Sequence, residues 1–365
     1  MEAKEQGLNR SRIDRLRFCF SDLHADALLV SHPANVRYLC GFSGSAGLLL
    51  VEPSKATLFT DSRYTFQARE EVCGAQVHIA KRGIVKSLGE ALRKWRGEPL
   101  VAYSTSHLTV SQKDAVQGAT GGKIRWVKDA SAIERLRAVK DRDELTTMRE
   151  AAELISEVFR RSLPSAKPGT SELELAGRIE YTMKQLGASG PSFETIVASG
   201  PRTAWAHARP TPKLLKKGEL VVIDHGAILR GYCSDLTRTV FLGRIPQKLR
   251  GLYGAVLEAQ EAAKKAIRPG VTAGEVDAAA RGVLKRRGLA KYFTHSTGHG
   301  LGLEVHEMPR LGSGEKFVLQ EGMVVTVEPG VYVEGTGGIR IEDDVVVQSS
   351  GAVDLTNASR ELIEI

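Results

Sequence analysis

The chain has 365 residues, of which 42% are hydrophobic, and its 51 Lys and Arg against 43 Asp and Glu give a net charge of +8. This hydrophobic content excludes a chain that is disordered throughout. Apolar runs such as 47–51 and 324–327 are far too short to span a bilayer. A nucleic-acid-binding protein is not favoured, because the basic residues are spread along the chain instead of lying on one element.

The N-terminal segment and the cysteines bear on the cellular compartment. Residues 1–17 carry charges of both signs and no apolar stretch, so no signal peptide is expected. The cysteines lie far apart in the sequence and match no zinc-binding spacing. We therefore expect reduced thiols in a cytoplasmic protein.

The first 130 residues mix strand-like and helix-like segments. Short apolar runs predict buried strands at 25–31, 47–52, 56–60 and 99–104. Apolar residues at helical spacing predict helices at 12–23 and 84–95. Residues 41–47 are rich in glycine and serine but lack the lysine of a phosphate-binding loop, so we expect a tight turn. This mixture predicts a small α/β domain over residues 1–130.

A second domain, residues 131–365, is predicted to begin with a charged helix over 134–163. This domain contains an internal repeat. Residues 167–187 and 268–288 both begin with a basic residue, proline and glycine, and both end in glycine. Each copy predicts a turn, a Ser or Thr helix cap, and an amphipathic helix closed by glycine.

The correspondence between the two copies continues downstream in the same order. The sequence HARP at 207–210 matches HEMP at 306–309, and residues 217–227 match residues 321–331. Several matches in one order are not expected by chance. We therefore expect two similar halves that face each other about a pseudo-twofold axis.

The two halves together supply four acids in apolar, strand-like runs: Asp224, Asp235, Glu328 and Glu342. Buried carboxylates are costly unless they are paired or bind a metal. Two arginines nearby in sequence, Arg238 and Arg340, are alternative partners for them. Four acids placed symmetrically by a repeat are better explained by a shared cation site.

The halves differ in one imidazole. His299 lies seven residues before His306, whereas Gly200 lies seven residues before His207. Four carboxylates and one histidine suit two divalent metal ions, and an oxygen-rich set favours Mn(II), with Co, Fe or Zn as alternatives. Two such ions activate a water molecule and polarise a carbonyl, which is the chemistry of hydrolysis.

Further histidines flank these acids. His207 and His306, related by the repeat, are candidates for hydrogen bonds to a substrate carbonyl or to an oxyanion. His295 lies in the same strand-like segment as the candidate ligand histidine and is a further candidate. His225 directly follows Asp224 and should point to the other face of its strand, so we expect it outside the site.

These segments resemble the pita-bread metallopeptidase family, which includes methionine aminopeptidase, aminopeptidase P and prolidase. The resemblance covers residues 134–350 and rests on VVIDHGAILRGYCSDLTRT, HSTGHGLGLEVHEMP, TVEPGVY and GIRIEDD. It implies an α+β protein with a C-terminal pita-bread catalytic domain made of two duplicated halves. It also implies five metal ligands, which fall on Asp224, Asp235, His299, Glu328 and Glu342.

The resemblance assigns roles within that ligand set. By the family's pattern, Asp235 and Glu342 bridge both metals. Asp224 binds one ion only, and His299 and Glu328 bind the other. Glu328 is also the candidate that takes a proton from the attacking water.

Further active-site positions follow from the same resemblance. His207 and His306 match substrate-facing histidines of the family. His295 and Arg340 match positions of the branch that cleaves Xaa-Pro bonds. His225 departs from the family, which more often has a large apolar or aromatic residue there.

The first 130 residues resemble the creatinase-type N-terminal domain of the Xaa-Pro branch. The resemblance is clearest in HPANVRYLCGFSGSAG and LFTDSRYTFQA. It implies that this domain contributes to oligomer contacts and to closing the substrate cleft, in a homodimer or alternatively a tetramer. Creatinase itself lacks this ligand set, so the intact five residues argue against it.

The implied activity is metal-dependent hydrolysis of peptides with proline in the second position. The segments GSAG and TDSRY favour an Xaa-Pro aminopeptidase of the aminopeptidase P type over an Xaa-Pro dipeptidase, or prolidase. A peptide-binding pseudo-enzyme on the same fold is the alternative from another class, and such a protein should have lost ligands. Neither a nucleic acid nor a membrane is expected as a partner.

Overall fold

The computed structural model describes residues 12–129 and 131–365. The chain divides into two compact units, of which the first ends at Arg137 and the second begins at Ala138. Each unit contains a hydrophobic core of its own. No helix in the described ranges is long and apolar enough to cross a membrane.

The first unit is built on a six-stranded mixed sheet in the order β4-β3-β2-β1-β5-β6. Its strands are β1 (Ala27–Val30), β2 (Gly47–Val51), β3 (Ala56–Asp61), β4 (Gln76–Ala80), β5 (Leu100–Ser104) and β6 (Arg125–Asp129). The helices of this part of the chain are α1 (12–18), α2 (Phe20–Leu23), α3 (Pro33–Cys40), α4 (Thr65–Glu71), α5 (Ile84–Arg93), α6 (Val110–Ala119) and α7 (Ala132–Ala138). Neighbouring strands are parallel except for the antiparallel pairs β1–β2 and β2–β3.

The strands and helices predicted from apolar patterns in this unit are confirmed. The four predicted strands correspond to β1, β2, β3 and β5, and the predicted helices to α1, α2 and α5. Helix α5 packs Leu88 and Leu92, one turn apart, into the core together with Val101 of β5. The edge strands β4 and β6 were not predicted, because polar residues interrupt their apolar ones and leave no continuous apolar run.

The second unit consists of paired helices and sheets that are antiparallel except for the parallel pair β12–β20. Its helices are α8 (Arg142–Ser162), α9 (Glu172–Gln185), α10 (Gln247–Ala266) and α11 (Ala273–Arg286). Its strands are β7 (Gly190–Pro191), β8 (Ile196–Ser199), β9 (Leu220–His225), β10 (Ala227–Leu229), β11 (Tyr232–Cys233), β12 (Leu236–Phe241), β13 (Gly298–Gly300), β14 (Glu307–Leu311), β15 (Val324–Val327), β16 (Gly330–Val333), β17 (Gly337–Arg340), β18 (Asp343–Gln348), β19 (Gly351–Asp354) and β20 (Ile363–Glu364). The two larger sheets have the orders β20-β12-β9-β8 and β14-β13-β15-β18-β19.

The helix predicted over 134–163 is interrupted in the structure. Helix α7 ends at Ala138, and α8 begins at Arg142 after the N-cap residue Asp141. The Asp141 side chain accepts hydrogen bonds from the backbone N–H groups of Asp143 and Glu144, and the Glu144 carboxylate accepts from the Asp141 N–H. This capping box fixes a new helix start inside the charged segment.

The internal repeat is confirmed as two helix pairs of matching length. Helices α8 and α10 have 21 and 20 residues, and α9 and α11 have 14 each. Ser171 caps α9 and Thr272 caps α11 through their side-chain oxygens. Gly187 and Gly288 follow the two helices with φ of 96° and 72°, a left-handed conformation that glycine adopts without strain.

The two halves meet along β12 and the segment that leads into β18. The Arg340 N–H donates to Thr239 Oγ1 at 3.1 Å, and that hydroxyl donates to the Arg340 carbonyl at 2.9 Å. The Glu342 N–H donates to the Thr237 carbonyl at 3.1 Å. Residues 340–342 of the second half, which lead into β18, are therefore hydrogen-bonded to β12 of the first half.

Candidate metal centre and active site

The four acids and the ligand histidine predicted from sequence lie at strands of both halves. Asp224 lies near the end of β9, and Asp235 immediately precedes β12. His299 is the central residue of β13. Glu328 follows β15, and Glu342 precedes β18. Four of these residues are at most 8% exposed and Glu328 is partly exposed, so the strand ends place a buried acidic cluster where the halves meet.

The structure brings these groups within reach of a shared ion. Ligand atoms of Asp235, His299 and Glu342 all lie within 4.8 Å of one another. His299 Nε2 is 3.8 Å from Asp235 Oδ2 and 3.6 Å from Glu328 Oε1. The Asp224 charge raises the pKa of Asp235 and Glu342, as expected for a carboxylate in the same cluster.

The tautomer of His299 suits a metal ligand. Its Nδ1 lies 3.0 Å from the Gly300 carbonyl, which can only accept, so Nδ1 carries the hydrogen and Nε2 keeps its lone pair toward the carboxylates. Burial and the neighbouring His306 lower the pKa of His299 to about 4. The imidazole is therefore neutral at neutral pH, which is the state that binds a metal.

The pKa shifts of the carboxylates favour a bound cation. Burial and the surrounding acids raise the pKa of Asp235 and Glu342 well above the usual range. Burial raises the pKa of Glu328 to about 8, against the opposing effect of Arg340. Packed carboxylates hold protons in this way when no cation balances them, and a divalent ion would displace those protons.

Two carboxylate oxygens support the same conclusion. Oδ1 of Asp224 and Oδ1 of Asp235 are buried and find no hydrogen-bond donor among the described residues. Buried polar atoms in folded proteins are nearly always satisfied, and a metal ion would satisfy these two. Together with the free Nε2 of His299, they fit the donor set of a divalent metal site.

Arg340 is buried within this cluster. Its Nη2 forms an ion pair with Asp224 Oδ2, and its Nη1 donates to Tyr332 Oη at 2.7 Å and to the Ala206 carbonyl at 3.0 Å. The alternative that an arginine partners one of the acids is therefore correct for Asp224. Arg238, the other arginine considered, pairs instead with Asp343, on the far side of the strand from the cluster.

His295 lies in the loop before β13 and not on the strand itself. Its Nε2 is 2.9 Å from Tyr332 Oη, and its Nδ1 is 2.8 Å from the Ser296 carbonyl. Burial and Arg340 lower the pKa of His295 to about 4. Burial raises the pKa of Tyr332 to about 12, so its hydroxyl remains a donor, and it links the predicted residues His295 and Arg340. Tyr332 was not among the residues predicted from sequence, although it is the last residue of the motif TVEPGVY.

The two repeat-related histidines lie at the exposed side of the cluster. Both His207 and His306 are exposed. The His306 ring centroid is 4.2 Å from that of His299. Partial burial and His207 lower the pKa of His306, and His207 contributes to the lowered pKa of His295. His306 therefore lies beside the candidate ligand His299, and His207 lies near His306 and His295, with exposed surface on both histidines.

His225 lies outside the site, as the alternation of the strand predicts. It is fully buried, and its Nδ1 is 3.0 Å from the Leu236 carbonyl. Its ring centroid is 6.1 Å from that of Phe159 in α8. Burial lowers its pKa to about 4, so it packs as a neutral side chain between sheet and helix.

A buried carboxylate in the first half holds the segment that carries His207. Glu172, at the start of α9, accepts hydrogen bonds from the backbone N–H and hydroxyl of Ser199, both at 2.8 Å. It also accepts from the N–H and hydroxyl of Thr211 at 3.1 and 2.7 Å. One carboxylate thus ties down both ends of the segment, and helical periodicity gives no sign of this contact.

The second half contains a similar anchor. Asp277 of α11 accepts from the N–H and hydroxyl of Thr297 at 3.1 and 2.9 Å. It also pairs with Arg281, which donates to the His295 carbonyl. The Thr297 carbonyl in turn accepts from the Glu328 N–H at 2.7 Å. Asp277 therefore supports both a candidate catalytic histidine and a candidate metal ligand.

Sequence profiles identify the class of protein that this fold and site define. Metallopeptidase family M24 matches residues 146–349, and the Creatinase/Prolidase N-terminal domain matches residues 12–139. The chain belongs to metallopeptidase family M24. The predicted pita-bread fold with a creatinase-type N-terminal domain is confirmed, and the protein is a metallopeptidase of a family that uses divalent metals.

Individual proteins narrow the resemblance. The Xaa-Pro dipeptidase of Pyrococcus furiosus is 36% identical over 97% of this chain and 100% of its own length. The structure of an Xaa-Pro dipeptidase from Bacillus anthracis has a TM-score of 0.94 at 36% identity, covering 98% of this chain and 100% of its own. An X-Pro aminopeptidase structure from Thermotoga maritima MSB8 has a TM-score of 0.87 at 35% identity, covering 94% and 98%.

Proposed function

We propose that this metallopeptidase is an Xaa-Pro dipeptidase, which hydrolyses the peptide bond between an N-terminal residue and a C-terminal proline. The observation that carries the hydrolytic part is the buried cluster in which ligand atoms of Asp235, His299 and Glu342 lie within 4.8 Å of one another. Dipeptidase and prolidase predominate among the names of the similar proteins. They support this substrate class better than the aminopeptidase P type that the GSAG and TDSRY segments favoured.

The site is proposed to hold two divalent metal ions, with Mn(II) as the preferred metal. The proposed ligands are Asp224, Asp235, His299, Glu328 and Glu342. Four carboxylates with one imidazole form an oxygen-rich set, which suits Mn(II) better than a thiolate-seeking ion. When bound, the two ions supply Lewis acidity at the substrate carbonyl and make a water molecule acidic enough to attack it.

Glu328 is proposed to accept the proton of the attacking water. Its carboxylate lies 3.6 Å from His299 Nε2 and is held by the backbone bond from Glu328 N–H to the Thr297 carbonyl. Burial without a cation raises the pKa of Glu328 to about 8. A carboxyl group with this pKa is protonated at neutral pH, so Glu328 would act as a base only after bound cations have displaced its proton.

The surrounding residues are proposed to orient the substrate. His207 and His306, both exposed beside the cluster, would donate hydrogen bonds to the substrate carbonyl and to the oxyanion that forms on attack. His295 and Arg340 would act with Tyr332, since the Tyr332 hydroxyl joins the two side chains. Arg340 also holds Asp224 in place through its ion pair.

An Xaa-Pro bond makes specific demands on such a site. It is a tertiary amide without an N–H group, and its ring restricts the backbone. Recognition must therefore come from the carbonyl and the ring, not from a backbone donor. Polarisation of the substrate carbonyl, with histidines on either side of it, would provide the recognition of the carbonyl.

Several broader expectations accompany this proposal. We propose that the first domain, predicted over residues 1–130, contributes to oligomer contacts and to closing the substrate cleft of the catalytic domain, residues 131–365. A homodimer is proposed from the family resemblance, and a cytoplasmic location is proposed from the widely spaced cysteines. Size-exclusion chromatography with light scattering would test the oligomer directly.

The substrate class is tested with the Mn(II)-loaded full-length protein and peptides of increasing length. Leu-Pro and Met-Pro should be cleaved efficiently, whereas Leu-Pro-Gly and longer peptides should be poor substrates. Equal release of the N-terminal residue from the longer peptides would favour the X-Pro aminopeptidase, the activity named for the similar structure from Thermotoga maritima. Cleavage of neither, with metal bound, would contradict both activities.

A further inference from the structure

Arg238 is a fully buried arginine whose N–H groups are all used behind the candidate metal centre. Its Nη1 donates to the carbonyls of Thr237, at 2.9 Å, and Glu342. Its Nη2 donates to Asp343 Oδ1 at 2.7 Å. Nη2 and Nε also donate to two carbonyls of the segment 358–359, each at 2.7 Å. These are the five donors that a guanidinium offers.

The two carbonyls bound by Nη1 mark the place where the halves are joined. The Glu342 N–H donates to the Thr237 carbonyl at 3.1 Å, and the Thr237 hydroxyl donates to Glu342 Oε2 at 2.6 Å. Asp235 lies two residues before Thr237 on the same chain segment. Arg238 Nη1 thus donates to the backbone carbonyl of Glu342, one proposed metal ligand. It also donates to the carbonyl of Thr237, two residues after Asp235, a second proposed ligand.

The charge of Arg238 is balanced on the side away from the metals. Its partner Asp343 is fully buried and is the first residue of β18, directly after Glu342, so the two neighbouring side chains point to opposite sides of the extended chain. Asp343 also accepts from Gln260 Nε2 at 2.9 Å and from Thr356 Oγ1 at 2.8 Å. A neutralised, fully hydrogen-bonded pair can hold one geometry without a net buried charge.

We propose that Arg238 is a positioning residue that sets the spacing between Asp235 and Glu342 and thereby the affinity of the site for metal. The inference rests on the proposed function, because it assumes that these two carboxylates share the metals. Only an arginine suits the position, since its planar fork reaches acceptors in several directions at once. A lysine keeps the charge but has a single nitrogen, which cannot bond both carbonyls, Asp343 and the segment 358–359 together.

The competing explanation is that Arg238 only fastens the segment 358–359 to the unit. Arg360 provides the matched control, because it also pairs with Asp343 and with Asp354. Within the described residues 131–365, no hydrogen bond of Arg360 reaches Thr237 or Glu342. If stability alone mattered, changes at the two arginines would alter metal affinity to the same degree once the folded fraction is accounted for.

The test is metal affinity of the full-length protein, measured as Mn(II) binding to metal-free enzyme by calorimetry and by the electron paramagnetic resonance signal of free Mn(II). Arg238→Lys should bind Mn(II) about 10- to 100-fold more weakly than wild type, the cost usual for outer-shell changes. Excess Mn(II) should restore much of kcat, with KM for Leu-Pro little changed. Arg360→Lys should stay within about twofold of wild type, because Arg360 contacts neither backbone segment that carries the proposed ligands.

A second variant covers the case in which Arg238→Lys does not fold. Arg238→Met combined with Asp343→Leu removes both buried charges together, a replacement that is often tolerated. It should likewise weaken Mn(II) binding. Wild-type affinity in a folded Arg238 variant, or an equal loss in Arg360→Lys, would overturn the inference alone. A wild-type protein that binds no Mn(II) would overturn the proposed function as well.

Discussion

The two halves of the second unit share a backbone plan but contribute unequally to the site. In the first half, Ile196 of β8 pairs with Asp224. In the second half, the Thr297 carbonyl accepts from the N–H of Glu328, the counterpart of Asp224. Two residues further along each strand stand Ala198 and His299. Counting from the histidines had placed Gly200 opposite His299, and strand pairing corrects that position by two residues.

The difference shows how a duplicated unit can become a site with two unlike ends. Each half supplies a pair of acids at equivalent strand positions, which gives the cluster its symmetry. The single imidazole, His299, and the buried arginine, Arg340, come from the second half only. Two ions bound here would therefore have different surroundings, and the arginine already occupies one oxygen of Asp224.

The largest expected effect comes from removing one shared acid from either half. Asp235→Ala and Glu342→Ala should each lower Leu-Pro hydrolysis about a thousandfold or more, because each would lose metal. The fold should survive, since the removal of one packed carboxylate relieves repulsion among the others. Metal content by elemental analysis and circular dichroism of the same samples check both parts.

Glu174→Ala is the control for these two variants, since Glu174 is an exposed acid paired with Arg178 on α9. It should retain metal and activity. Unchanged hydrolysis in both ligand variants would show that the acids are not the metal site. Loss in only one of them would show that the halves do not share the ions.

The strand ends and the ligand cluster could be anticipated from sequence because the repeat and the apolar runs are local patterns. Asp224 and Glu328 each follow an apolar run, and in the structure each lies at the end of the strand that this run forms. Tyr332 and Glu172 could not be anticipated in the same way. Their roles depend on partners far away in sequence, such as Arg340 and Thr211, and periodicity carries no information about such contacts.

The repeat-related histidines should have the next largest effect. His207→Ala and His306→Ala should each lower kcat about 10²- to 10³-fold, the usual cost of losing a donor to an oxyanion. Mn(II) content should stay at the wild-type level, because neither residue is a proposed ligand. Steady-state kinetics at saturating Mn(II) measure the loss.

His78→Ala, in β4 of the first unit, is the control for these substitutions and should leave kcat unchanged. If activity is lost because metal is lost, the two histidines belong to the metal site instead. A loss for only one of them would mean that the repeat does not extend to substrate contacts.

Substitutions of the buried anchors Glu172 and Asp277 should distinguish the two halves. We expect changes of about tenfold in kcat or Mn(II) affinity, as is usual for supporting residues. Glu172→Gln weakens the hold on the His207 segment, because an amide oxygen makes weaker hydrogen bonds than a carboxylate. We expect a lower kcat with unchanged Mn(II) affinity. Asp277→Asn should lower both, because Thr297 also positions Glu328. Kinetics and calorimetry on the same preparations distinguish the outcomes.

Glu275→Gln is the control on the same helix as Asp277, since the exposed Glu275 carboxylate accepts from the N–H and hydroxyl of Thr272 at the cap of α11. It should change neither quantity. If Glu172→Gln reduced Mn(II) affinity as much as Asp277→Asn, the anchors would be equivalent, and the division between a substrate segment and a metal segment would be wrong.

The smallest expected effect is a dependence of stability on pH that only the metal-free protein shows. The pKa of Glu328 is about 8 in the folded state against an ordinary value of 4.5. Between those values the folded protein holds a proton that the unfolded chain releases, so stability falls as pH rises through this window. The pKa of His299 is lowered from 6.5 to about 4, so its contribution falls away below pH 6.5 and leaves the range above that value to the carboxylates.

The melting temperature of EDTA-treated protein should therefore drop by about 5 °C between pH 6.5 and 8. Glu328→Gln cannot titrate and should show a smaller drop, while Asp235, whose pKa is also raised, keeps part of it. Saturating Mn(II) should flatten the profile of the wild type, because the ions replace the protons. A flat profile in the metal-free wild type would mean that the acids of the two halves do not raise one another's pKa values. The electrostatic argument for a cation between them would then fail.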